Sequence, residues 1–163
     1  MTNAEVARRF VSGYDSNLYG APNLHINDDE LVSYTTPIVS TVVGDNGFYY
    51  LINDKYYSVT TARHKSCFYE AAGHSNFIWT NYFNNRLIGT GSCLESEMDD
   101  YQDYDKELNR KKHRAEVLRL NDSLELLKEV HITEYNKINK QLLHKFNKVV
   151  KRAEFIEENK QSH

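Results

Sequence analysis

Short β-branched and aromatic runs dominate the first half of this chain, and apolar steps of three and four dominate the second. Residues 37–43 are β-branched almost throughout and stop at Gly44-Asp45-Asn46-Gly47, a turn composition that tolerates positive φ and marks a hairpin. Residues 48–52 form the returning strand, and Asn53-Asp54-Lys55 is a second turn cluster. A third strand is expected at 56–59, running into Thr60 and Thr61, whose hydroxyls are placed to cap a following helix. Upstream, 24–26 and 31–34 read as two further strands around Asn27-Asp28-Asp29-Glu30. An antiparallel sheet of four or five strands follows.

Helical periods flank this sheet. Thr2 and Glu5 have capping-box spacing, and Val6, Ala7, Phe10 and Val11 give the short helix an apolar side that Gly13 can end. Residues 14–23, rich in Gly, Asn, Ser and Pro, read as a loop. A second helix is expected from Ala62 to Gly73, with Cys67, Phe68, Ala71 and Ala72 inward. Residues 76–87 fit neither period, because aromatic density argues for burial while Asn81, Asn84 and Asn85 weaken a helix. Residues 88–92 read as a flexible exit.

Beyond Gly91 there is neither glycine nor proline. An apolar stripe runs through Val117, Leu120, Leu124 and Leu127, and resumes at Tyr135, Ile138, Leu142, Phe146, Val149, Ala153 and Ile156, with His131 in the gap. Two architectures fit: one long helix burying its stripe against a second copy, or a hairpin broken at His131, Ile132 and Thr133. The first makes Leu120, Leu124, Leu127, Ile138, Leu142, Phe146, Val149 and Ile156 a homodimer seam with coiled-coil character. The lack of Gly and Pro leans toward the long helix. The fold class is α+β: a small antiparallel sheet with one or two packed helices, then a long C-terminal helix or helical hairpin. The expected division is an aromatic-rich domain at 1–92, an acidic linker at 93–105 and a basic helical tail at 106–160.

Charge sharpens that division. Residues 1–105 carry six basic against fourteen acidic side chains, −8, and residues 106–163 carry fourteen against nine, +5, which returns the overall −3. Such a split implies different partners for the two parts, or a contact between them. No apolar run approaches the roughly 18 residues that span a bilayer, and the polar N-terminus lacks a signal peptide's apolar core. With only Cys67 and Cys93 there is no disulfide framework, and a reduced cytoplasmic setting is expected.

Candidate chemistry is sparse. His64, Cys67, His74 and Cys93 lack the paired knuckles of a structural zinc site, and the ordinary reading of His64 and Cys67 is one face of a helix. A Cys67 nucleophile with His64 as base has no supporting signature around it. The carboxylates of 95–105 alternate with Tyr and Gln and lack the central glycine of a calcium loop. Their ordinary reading is a solvated linker. Their sharper reading makes Glu97, Asp99, Asp100, Tyr101, Asp103, Tyr104 and Asp105 a surrogate for nucleic-acid phosphates on a basic partner groove. On the tail, Lys137, Lys140, Lys148 and Lys151 step along one face, and Arg110 to Arg114 form a second basic block. Both suit phosphate binding by counterion release, or simply the charged flank of a coiled coil. No phosphate loop or serine elbow is present, so no enzyme and no cofactor are expected.

Arg9-Phe10 with Gly13, Asn23-Leu24-His25-Ile26, Leu31-Val32-Ser33-Tyr34 and Tyr57-Ser58-Val59-Thr60-Thr61-Ala62-Arg63-His64-Lys65-Ser66 resemble an uncharacterised domain of phage and mobile-element proteins, over roughly residues 1–75. The resemblance implies a small accessory protein that binds host machinery. The expectation is therefore a non-enzymatic interaction protein in the host cytoplasm, inhibiting a nucleic-acid-targeting defence enzyme in the manner of anti-CRISPR proteins. The alternatives are a nucleic-acid-binding accessory protein using the basic helix, and an oligomerising structural protein.

Overall fold

A computed structural model describes residues 1–13 and 20–161. The chain divides into two compact units, Met1–Gly44 with Phe48–Trp79, and Asp45–Gly47 with Thr80–His163. The division falls at Trp79 rather than at residue 92. Residues 93–105, expected as a linker, lie inside the second unit and are largely helical.

The first unit opens with α1 (Asn3–Val11), capped by the Thr2 side chain, which accepts from Glu5 N as the capping box requires. The loop expected at 14–23 lies outside the described residues as far as 19. Six strands follow in the order β1-β2-β3-β4-β5-β6: Gly20–Ala21, Leu24–Asn27, Glu30–Ser33, Thr36–Gly44, Gly47–Asn53 and Phe77–Thr80. The first three pairings are antiparallel, with Leu24 opposite Ser33 and Ser33 opposite Thr36. The fold is α+β, but the sheet has six strands and not four or five. Gly20–Ala21 pairs within the supposed loop, and Phe77–Thr80 turns the undecided aromatic run into an edge strand.

No strand forms at 56–59. Val59 already begins α2 (Val59–Ala72), three residues before the expected start at Ala62, because the Ser58 hydroxyl accepts from Thr61 N and caps the helix in place of Thr60 and Thr61. Ahead of it, Asn53 Oδ1 accepts from Lys55 N, an Asx-type turn that takes the chain out of β5. Helix α2 ends at Gly73, φ +59, as its sequence indicated. Its Phe68 enters a core formed with Phe10 of α1 and Tyr50 of β5, at ring separations of 6.0 and 4.9 Å in edge-on geometry. Around them Leu24, Ile26, Leu31, Ile38 and Ile52 are buried.

The second unit contains a 3₁₀ turn at Phe83–Leu87, α3 (Thr90–Tyr101), a second 3₁₀ turn at Tyr104–Glu107, α4 (Lys111–Val130), the single turn α5 (Ile132–Tyr135) and α6 (Lys140–Gln161). The tail is a hairpin and not one long helix. The stripe assigned to a dimer seam is consumed inside it: Leu120, Leu124, Leu127, Ile138, Phe146 and Val149 are buried, while Leu142 and Ile156 are half-buried. Two residues from outside the stripe explain the break. The Asp45 carboxylate accepts from Thr133 N at 2.8 Å and from the Thr133 hydroxyl at 3.0 Å, while Asn46 N donates to Val130 O at 2.9 Å. Thus Asp45 starts α5 and Asn46 closes α4. Asn139 then starts α6, its Oδ1 accepting from Gln141 N and Leu142 N.

Candidate interaction groove

Helix α3 begins where a flexible exit was expected. Gly89, φ +135, and Gly91 are both required by Glu134, for a Cβ on Gly91 would lie 2.4 Å from the Glu134 carbonyl oxygen. Gly91 N donates to the buried Glu134 carboxylate at 3.1 Å, and Lys137 Nζ donates to it at 2.5 Å. Burial pushes that carboxyl up, but the Lys137 and Gly91 hydrogen bonds outweigh it and hold it below its ordinary value. Lys137 is thereby committed to Glu134.

The remaining carboxylates of α3 and of the turn after it differ in burial and in partners. Glu97 is buried and accepts from Asn81 N at 2.6 Å. Asp100 accepts from the Tyr82 hydroxyl, which pushes that phenol up to about 12. Asp105 is paired with Arg152 of α6 at 2.7 Å, and Glu95 accepts from Asn139 N at the start of α6. Asp99 and Asp103 are exposed, Asp99 accepting from Gln102 Nε2. Tyr101 is buried against Tyr104 at 4.7 Å, and Tyr104 lies 4.7 Å from the His113 ring. The sequence grouped these seven residues as one surface; the structure leaves Asp99, Asp100 and Asp103 as its solvent-facing members.

The basic residues divide the same way. Lys140, Lys148 and Lys151 are exposed on α6. Arg114, part of the expected basic block, is buried: its Nε donates to Glu157 at 2.6 Å and its guanidinium to the Leu108 and Asn109 carbonyls. It ties α4 to α6 and is not available to a phosphate.

Between α3 and α6 run two adjoining clefts of about 400 and 370 Å³. The first is lined by Glu95, Ser96 and Asp99 on one side and by Asn139, Gln141 and Leu142 on the other. The second takes Asp103 and Asp105 from one wall and Lys148, Val149 and Arg152 from the other. Gln102 and Lys145 line both, so the two clefts form one groove with an acidic wall and a basic wall. Sequence reasoning found Asp99, Asp103, Asp105 and Lys148 but missed Glu95, Gln102 and Lys145. The opposite charges of the acidic stretch and the basic helix were the signal that they meet.

Cys93 offers no nucleophile in this arrangement. Cys93 is buried, and burial with Glu97 and Glu134 nearby pushes its thiol up to about 12. His64 is buried and shares a 2.6 Å hydrogen bond through Nδ1 with Ser33 Oγ. Among the described residues no helix is long and apolar enough to cross a membrane.

Residues 10–81 are similar to a family of unknown function (DUF8033), a match over less than half of the 163 residues that takes in the six-stranded sheet and α2 but not the groove. No curated protein and no solved structure matches the chain.

Proposed function

We propose that this is a non-enzymatic interaction protein whose α3–α6 groove holds a polar segment of a partner protein. The observation that carries the reading is the groove itself, long, open and walled by opposite charges. Such walls orient a charged segment and reject a misaligned one by like-charge contact, so they serve specificity and association rate. The resemblance of the N-terminal part to phage and mobile-element domains supports placing the partner among host machinery in the cytoplasm, with a nucleic-acid-targeting defence complex as its target, an anti-CRISPR-like role. The acidic wall supports this target class, because enzymes that act on nucleic acid present basic surfaces.

Capture of host proteins on the tagged chain tests it. The triple variant Asp99→Asn, Asp103→Asn and Lys148→Gln is expected to lose the partner while melting with the native chain, since all three side chains line the groove and none sits in the core. Capture of the same partner by the variant sinks the reading. A second reading, nucleic acid held along Lys140, Lys148 and Lys151, is favoured by the exposure of those lysines. A gel shift that shows no complex even at low salt removes it.

A further inference from the structure

The first unit carries a surface that the groove does not explain. Tyr34 occupies the two-residue loop between β3 and β4 with φ +56, a left-handed backbone that a bulky side chain rarely adopts. The conformation is held from below. Its neighbour Ser33 is fully buried and hydrogen-bonded to both Thr61 and His64 of α2, while Tyr34 N donates to Asn23 O at 2.8 Å. The Tyr34 ring stands 6.0 Å from the His64 ring and stays 46% exposed.

Two more exposed tyrosines, Tyr56 and Tyr57, immediately precede Ser58, whose hydroxyl donates to the same Thr61 Oγ1 that Ser33 bonds. Tyr56 is 71% exposed and Tyr57 44%. The Tyr57 hydroxyl accepts from Asn53 Nδ2, which also donates to Pro37 O one residue past the start of β4. Lys65 Nζ donates to Lys55 O, so the segment bearing Tyr56 and Tyr57 is bound at both ends to fixed elements. Lys55 and Arg63 are exposed; the exposed Asp54 adjoins Lys55, and no other carboxylate occurs from there to Lys65. The acidic Asp28, Asp29 and Glu30 lie at the opposite end of β3. Lys55, Arg63 and Lys65, three of the six basic residues in the first 105, lie in the segment that carries Tyr56 and Tyr57 and in the first two turns of α2.

We infer that this face binds single-stranded nucleic acid, with bases stacked on Tyr34 and Tyr56 and phosphates met by Lys55 and Arg63. Aromatic faces accept any base, and cations beside them track the backbone, the combination that single-strand binders use. The positive end of α2 adds to the same field. The turn and its hydrogen bonds thus fix the Tyr34 ring at the surface, where one face is open to stacking. An acidic protein segment would use the same lysine and arginine, and protein capture distinguishes it from a strand.

The test is fluorescence anisotropy of a labelled single-stranded DNA and a labelled single-stranded RNA of mixed sequence, titrated with the full chain at low salt. Binding of either strand, weaker for a duplex and weakening as salt rises, is expected. Tyr56→Ala and Arg63→Gln are each expected to weaken it about tenfold, with unchanged melting because both side chains are exposed. Lys148→Gln with Lys151→Gln is expected to leave it unchanged. Absence of binding at low salt overturns the inference. So does binding that falls with the α6 lysine variants and not with Tyr56→Ala, which would place the strand on α6. Loss of a captured protein by Tyr56→Ala, with oligonucleotide affinity intact, would overturn it in favour of a protein contact.

Discussion

Gly91 sits in the first turn of a helix, where alanine is ordinarily the better residue by about 1 kcal/mol. The Glu134 carbonyl oxygen 2.4 Å from its would-be Cβ reverses that preference, because the obstacle is backbone and not a flexible side-chain tip. Gly91→Ala is therefore expected to lower the melting temperature; a rise would show that α3 and α5 do not approach so closely. His64 makes a test by pH. Burial lowers its pKa from the ordinary 6.5. The unfolded chain then binds the proton more readily, so this contribution to stability is complete above the unfolded pKa and is lost as pH falls toward the folded one. Melting temperature is expected to drop between about pH 7 and pH 5.5, and His64→Asn to flatten that drop, as followed by circular dichroism. A slope unchanged by the substitution would assign it to other groups.

Elements were legible in proportion to how local their determinants are. The β4–β5 hairpin, the Thr2 cap of α1 and the Gly73 end of α2 depend on neighbours within a few residues, and they stand as the pattern predicted. The α2 start was misplaced because Ser58, Thr60 and Thr61 are all competent caps, and only the strand exit through Asn53 chooses Ser58. The break after α4 was harder still. Its determinants, Asp45 and Asn46, lie more than eighty residues away in sequence, and the stripe itself reads through. Arg114 is the element-scale test. Arg114→Met removes a buried cation that links α4 to α6 and leaves the Leu108 carbonyl without its donor. A loss of roughly 2–3 kcal/mol is expected in urea unfolding, below the range for a fully buried pair because Glu157 reaches solvent. A loss below about 0.5 kcal/mol would show the pair to be an ordinary surface contact.

For the whole molecule, the sequence separated an acidic body from a basic tail, and the structure joins the acidic stretch to the tail within one unit. The groove was only half legible for that reason: charge runs were visible, but which carboxylates are spent on Asn81, Tyr82, Asn139 and Arg152 depends on packing that no spacing encodes. Burial of the stripe also removes the argument for a dimer through it. Light scattering at high concentration is expected to give a monomer mass, whereas a concentration-dependent dimer would require an interface other than Leu124 and Phe146. The central claim, that the α3–α6 groove receives a partner protein, is tested most directly by a photoreactive amino acid in place of Gln102, which lines both halves of the groove. Illumination in cell lysate is predicted to give one discrete cross-linked species from position 102 and none from the exposed Glu154. No cross-link at 102, or the same species from both positions, would contradict the account.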